Sequence, residues 1–260
     1  MITATVRAVV LDIEGTTGSL SHVHDVLFPY ARQRLADWFT THRNDPRHAE
    51  ILQSVRDSTG TPDLDDAGAI AVLTAWADAD VKAAPLKRLQ GLIWAQGYAD
   101  GTLTGHVYPD VPEALDRWRA AGIGVHIYSS GSVGAQRDWF AHSDHGDLTH
   151  LLLGYFDLDR AGPKREPESY RAIVRAIGGE PPHTLFLSDV AEELDAAAAA
   201  GWLTAGVRRA RDPRGPIVPG HPSVPSLSLD HVRLQAYRPT DPDDTNSTHP
   251  TGPTDEVSQT

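Results

Sequence analysis

The chain has 260 residues, 35 Asp and Glu against 23 Lys and Arg, a formal net charge of −12 and no cysteine. The length leaves room for a full core plus a smaller second unit. The acidity argues against broad nucleic-acid binding, the lack of cysteine excludes disulfides and thiolate metal sites, and no apolar stretch approaches the ~20 residues of a membrane span.

In chain order, Val6–Leu11 is an apolar, β-branched run that reads as a buried strand of a parallel sheet. It ends in Asp12-Ile13-Glu14-Gly15-Thr16-Thr17, two carboxylates beside a glycine-threonine turn. Residues 23–104 carry helical spacing and little strand pattern. Asp25–Phe39 forms one helix with Pro29 in its first turn, and Ala67–Gly97 carries a second and a third. From about residue 106 the pattern alternates. Val111, Ala114, Leu115 and Trp118 mark a helix capped near Gly122, Ile123–Tyr128 a strand, and 132–142 a helix. Glu166–Ile177 is a helix, Thr184–Leu187 a strand, 191–200 an Ala-rich helix and 203–207 a last strand. Alternation of this kind predicts βαβ units and an α/β, doubly wound parallel sheet.

Residues 239–260 hold four prolines, no Lys or Arg, and the five acids Asp241, Asp243, Asp244, Asp255 and Glu256. Such a segment buries too little apolar surface to offset its ordering entropy. The expected organisation is an α/β core from 1–22 and 105–232, a helical cap over 23–104, and a disordered acidic tail over 233–260. With no secretory signal pattern at the N-terminus, a cytoplasmic protein is expected.

The chemistry lies at strand ends, where open α/β sheets bind ligands. Asp12 and Glu14 form a pair that is costly to bury unless a metal or a reaction needs it; one carboxylate can act as nucleophile while the other moves a proton. Ser129-Ser130-Gly131-Ser132 follows the second strand, either as a phosphate cradle or as an ordinary serine cap. Ser188-Asp189 follows a later strand with Glu193 four residues on, and Gly162-Pro163-Lys164 precedes a helix. Read singly, Asp189 is a capping acid and Lys164 a surface lysine.

Taken in order, these segments resemble the motif set of the haloacid dehalogenase-like superfamily. The resemblance implies a haloacid dehalogenase core with a cap inserted after its first strand. It implies Asp12 as the nucleophile that forms an aspartyl-phosphate, and Ser129 with the Ser130 N–H as the phosphoryl-binding groups. Lys164 then neutralises charge on nucleophile and phosphate. Mg²⁺ is implied on Asp12, Asp189 and a group of residue 14, with Glu193 in support; hard oxygen donors suit such a cation.

Glu14 narrows the resemblance. Most phosphatases of the superfamily carry Asp there; Asp-Ile-Glu-Gly-Thr-Thr is similar to the enolase-phosphatase (acireductone synthase) family. Asp25–Ala31, Leu89–Trp94, Gly105–Val111, Tyr128–Ser132 and Gly162–Tyr170 agree with it. The implied substrate is a small phosphorylated diketone, 2,3-diketo-5-methylthiopentyl 1-phosphate. It is enolised and then dephosphorylated to an aci-reductone in methionine salvage, by a monomer needing neither nucleic acid nor membrane. Glu14 is expected to carry protons in one or both steps. The alternatives are a Mg²⁺-dependent phosphomonoesterase for another metabolite and a non-catalytic binding module.

The chain departs from the family at Gly18-Ser19-Leu20 and Asp157-Leu158-Asp159-Arg160-Ala161. His22 and His24, near the expected entrance, should face solvent or substrate rather than a metal. His142, His145 and His150 should lie on the surface.

Overall fold

The computed structural model describes residues 1–210 and 212–238. The apolar run at the N-terminus is two strands rather than one. β1 (Ile2–Val6) and β2 (Ala8–Leu11) are separated at Arg7, whose carbonyl accepts from Gly124 and whose amide donates to His183. Every residue of β2 is buried because both faces of its sheet are covered. Val9 and Leu11 pack in one hydrophobic cluster and Val10 in another, as the two-residue period of a strand requires.

A helical run follows. α1 (Leu20–His22) leads through a π-helical turn over Val23–Leu27 into α2 (Phe28–Thr41), then α3 (Pro46–Thr59), α4 (Asp66–Asp78) and α5 (Ala84–Ala99). Pro29 stands near the start of α2, directly after the π-helical turn. α3 is a helix that the spacing argument did not single out. Its start is nonetheless written in Asp45-Pro46, where the Asp45 side chain accepts from Arg47 N, and its end in Gly60 at φ +66°. α2 to α5 share a core of their own through Leu35, Phe39, Ile51, Val55, Leu73 and Leu89. Val23, Leu27, Tyr98 and Leu103, at the ends of this helical unit, pack into the α/β core instead.

The chain then alternates as expected: α6 (Asp110–Ala120), β3 (Gly124–Tyr128), α7 (Val133–Ala141), β4 (Gly154–Phe156), α8 (Pro167–Ala176), β5 (Thr184–Ser188), α9 (Ala191–Ala199) and β6 (Leu203–Val207). Short strands β7 (Ser223–Val224) and β8 (Val232–Ala236) follow. The main sheet is parallel throughout, in the order β4-β3-β2-β5-β6-β7. Leu115 and Trp118 of α6 and Phe140 of α7 cover one face; Tyr170 and Ile173 of α8 and Leu194 of α9 cover the other. This is the doubly wound α/β fold.

One boundary needs correction. Residues 233–236, given to the tail on composition, belong to β8, which pairs in parallel with β1 from Ile2↔Val232 to Val6↔Ala236. Val232 is fully buried and Leu234 and Ala236 pack on the core, so the pairing buries enough apolar surface to order the segment. The acidic stretch 239–260 lies outside the described residues. Among the described residues, no helix is long and apolar enough to cross a membrane.

Candidate active site

The turn after β2 is built by its own backbone. Asp12 N extends the ladder to Leu187 O at 3.0 Å. The amides of Thr16, Thr17 and Gly18 then all donate to Ile13 O, at 3.1, 3.0 and 2.8 Å, and Gly15 turns the chain at φ +80°. The two threonines hold the acid that precedes them: Thr16 Oγ1 donates to Asp12 Oδ2 at 3.1 Å and Thr17 Oγ1 to Asp12 O at 2.9 Å. Asp12 is only 4% exposed.

Lys164 supplies the charge that makes this burial tolerable. Its Nζ lies 2.5 Å from Asp12 Oδ1 and 2.7 Å from Glu193 Oε2, and Glu193 also accepts from Ser188 Oγ at 2.9 Å. Burial works against the ammonium, but Asp12 and Glu193 outweigh it and hold the Lys164 pKa above its usual value. Burial pushes Glu193 up to about 7, with Lys164 opposing and Asp12 adding to the rise. The loop bearing Lys164 is fastened to the fold. Tyr128 donates to Gly162 O, Ser169 to Pro163 O and Tyr170 to Lys164 O, each at 2.7 Å.

Ser129 and Ser130 follow β3. Ser129 N bonds Phe156 O at 3.1 Å, and Gln136 Nε2 reaches back to Gly131 O at 2.7 Å and Phe156 O at 2.8 Å, which fixes the loop. The Ser130 amide donates to no acceptor among the described residues. Ser130 O accepts from Lys87 Nζ of α5 at 3.3 Å, so a helix of the helical run after β2 touches this loop. Asp157, in one of the segments that departs from the family, is buried; its Oδ2 accepts from Val133 N at the start of α7.

Asp189 follows β5 and is 2% exposed. Arg214 donates to its Oδ2 at 2.5 Å and is itself held by Asp212 at 2.7 Å; Asp189 Oδ1 is buried without a partner among the described residues. Burial and then the Asp12 charge raise the Asp189 pKa, with Arg214 pulling against them. Glu14 is raised in the same way, by burial first and Asp12 second.

Asp12, Glu14, Ser129, Ser130, Lys164 and Asp189 all line one cavity of about 440 Å³, with Glu193 beside them. Every residue singled out on the sequence for this site therefore meets there. The cavity also holds Arg214, Leu20 and Leu158, which sequence reasoning missed. Leu20 and Leu158 stand in the two departing segments, and that was their only signal. Arg214 sits in an irregular loop with no periodicity to mark it. His22 is not at the cavity: it packs edge-on to Trp139 at 5.4 Å and lies 5.9 Å from His106, half-buried, because α1 turns it toward the core. His24 is exposed beside Phe28, and His142, His145 and His150 are exposed. Among the described residues no group of three or more His, Asp or Glu side chains is placed to hold a metal.

A family model described as haloacid dehalogenase-like hydrolase matches residues 6–201. Enolase-phosphatase E1 of Streptomyces avermitilis is 51% identical over 80% of this chain and 87% of its own length. Enolase-phosphatase E1 of Pseudomonas aeruginosa is 50% identical over 86% and 97%. The solved UTR4 protein (unknown transcript 4 protein) of Saccharomyces cerevisiae superposes with a TM-score of 0.71 at 32% identity, over 86% of this chain and 99% of that one. The chain therefore belongs to the haloacid dehalogenase-like hydrolases and, within them, to the enolase-phosphatase family.

Proposed function

We propose that this protein enolises 2,3-diketo-5-methylthiopentyl 1-phosphate and then removes its phosphate, releasing an aci-reductone. The observation that carries this reading is Lys164 bridging Asp12 and Glu193 in the same cavity as Glu14, Asp189 and the serine loop.

Asp12 is the nucleophile. Lys164 and Thr16 hold its two oxygens, so the carboxylate is oriented before substrate arrives. One oxygen attacks phosphorus, the bond from phosphorus to the substrate's oxygen breaks, and that oxygen takes a proton. Water then attacks phosphorus in the aspartyl-phosphate, freeing Asp12 and inorganic phosphate. Ser129 Oγ and the Ser130 amide hold the phosphoryl oxygens, beside the Lys164 charge. Burial and then the Asp12 charge raise the Glu14 pKa, which favours its proton-bearing form, and Glu14 carries protons in one or both steps.

The site fits a divalent cation such as Mg²⁺. Asp189 Oδ1 is a buried oxygen lacking a partner among the described residues, the Asp12 charge raises the proton affinity of Asp189, and the donors are hard oxygens. Asp12 and Asp189 would hold the ion with an oxygen of residue 14. No hydrogen bond among the described residues engages the Glu14 carbonyl, and three side chains do not converge, so the main-chain oxygen is the better third ligand. Such a cation supplies Lewis-acid polarisation and charge neutralisation.

The test is incubation with the diketo-phosphate and Mg²⁺, with and without chelator, following absorbance and phosphate together. An absorbing aci-reductone formed with phosphate, and abolished by chelator, is expected. Phosphate release from unrelated monoesters but not from this substrate would indicate a plain phosphomonoesterase. A Glu14→Gln protein with unchanged rates for both steps would remove Glu14 from proton transfer.

A further inference from the structure

Arg209 is buried in the loop after β6, and all three of its guanidinium nitrogens donate hydrogen bonds. Nε and Nη2 both donate to Thr16 O, at 2.8 and 2.5 Å. Nη1 donates to both Asp110 oxygens at 2.8 Å, and the cation lies 4.1 Å from the centre of the Tyr108 ring. Asp110 also accepts from Leu227 N at 2.5 Å, which fixes its carboxylate, and Tyr108 N donates to Thr17 O at 3.0 Å.

These contacts fall on two separate stretches of chain. Thr16 and Thr17 lie on the connection that leaves the core for the cap. Tyr108 and Asp110 lie on the connection that returns from it. Arg209 therefore fastens both connections at the level of the nucleophile turn. A planar fork can do this because one edge grips a carbonyl while another grips a carboxylate, a geometry that an ammonium cannot reproduce.

Thr16 is the link to chemistry. It is fully buried, its carbonyl takes two of the Arg209 bonds, and its hydroxyl is the one hydrogen-bond donor among the described residues to Asp12 Oδ2. Lys164 holds the other oxygen. Releasing the Thr16 carbonyl frees that peptide to rotate, and its hydroxyl then no longer fixes which Asp12 oxygen faces the substrate.

We propose that Arg209 is a positioning residue for the nucleophile, acting through Thr16 and locking both core-to-cap connections to the Asp12 turn. The proposal rests on Asp12 being the nucleophile, and its test separates the two ideas. Arg209→Ala should lower kcat about 100-fold with KM within a factor of about two, the cost of a misplaced reacting group. Thr16→Val should lose a similar amount. The double variant should be no slower than the worse single, because both remove one restraint. Arg209→Lys should recover little kcat; it also keeps a folded protein available should Arg209→Ala fail to fold. Hydrogen exchange read on the Arg209 variants should rise at the Thr16, Thr17 and Gly18 amides. Unchanged kcat, multiplying losses in the double variant, or unaltered exchange in the turn would each overturn the proposal. A wild-type protein that releases no phosphate would remove the nucleophile reading, and the exchange measurement would still decide whether Arg209 holds the turn.

Discussion

Gly15 lies directly against Asp189: a β-carbon built on Gly15 would stand 2.7 Å from Asp189 Cγ. Position 15 is also left-handed, at φ +80°. The absence of a side chain thus lets a turn after β2 and an acid after β5 share one small volume, which brings Asp12 and Asp189 into the same cavity.

Gly15→Ala should therefore harm the site more than the fold. The backbone strain costs about 1 kcal/mol, while the overlap must push the Asp189 carboxylate aside. Thermal unfolding should show a modest loss, and phosphate release a large one together with a raised Mg²⁺ requirement. Full activity at low Mg²⁺ would contradict the packing argument.

Lys164→Met leaves Asp12 and Glu193 buried without their shared cation. Breaking a buried pair in this way typically costs about 3–5 kcal/mol, and phosphate release should be lost. Burial already sets Glu193 at about 7, above the unfolded value of 4.5. A carboxyl raised by folding binds more protons in the native state between those values, so its contribution favours folding below them and is lost as pH rises through 7. Without Lys164 the rise is larger. The variant's unfolding midpoint should fall more steeply than the wild type's between pH 5 and pH 8, and parallel curves would argue against this account.

Asp12→Asn removes the proposed nucleophile but keeps the size of the side chain and the Thr16 contact. The circular dichroism spectrum should be that of the wild type, with phosphate release reduced at least about 1000-fold. Hydroxylamine should convert the aspartyl-phosphate of the wild-type protein during turnover to an Asp12 hydroxamate, with phosphate as the leaving group, and should leave the variant unmodified. Residual turnover at the wild-type rate would exclude a covalent aspartyl-phosphate.

His126, on β3, carries a pH dependence unrelated to the site. It is 8% exposed beside Gly154, with Nδ1 buried and unpartnered among the described residues. Burial, helped by Arg119, lowers its pKa to about 4. The unfolded chain takes up this proton near pH 6.5 and the folded chain near 4, so stability falls as pH drops through that window. At pH 5 the loss is about 2 kcal/mol relative to neutral pH. Denaturant unfolding of wild type and His126→Gln at pH 7 and pH 5 checks this: the variant should lack that increment.

Much of the frame was legible in the chain. The cores of β2, β3, β5 and β6 are apolar runs bounded by turn residues, and α6, α8 and α9 show clear helical spacing, so the alternation was visible. β4 and β7, at three and two residues, are too short to show a period, and β8 has an alternating burial that composition alone assigned to a tail. Arg7 divides the first run because its backbone bonds to His183 and Gly124, residues no local pattern connects to it.

The site divides along the same line. Asp12, Glu14 and Ser129 could be suspected from the sequence because they follow strand ends, which a parallel sheet sends to one edge, whereas Lys164 and Asp189, which read singly as a surface lysine and a capping acid, were named through the family resemblance. Thr16 sits four residues from Asp12, within reach of local reasoning. Arg209 and Arg214 lie in loops after β6, where residue type carries no period and contact depends on how distant segments pack. The sequence by itself determined which residue types reach the edge of the sheet, since local propensity and burial set the elements. Only the tertiary structure decided how their charges are shared, between Lys164 and two acids and between Arg214 and Asp189, because those pairings join residues that only the packed fold brings within hydrogen-bond reach.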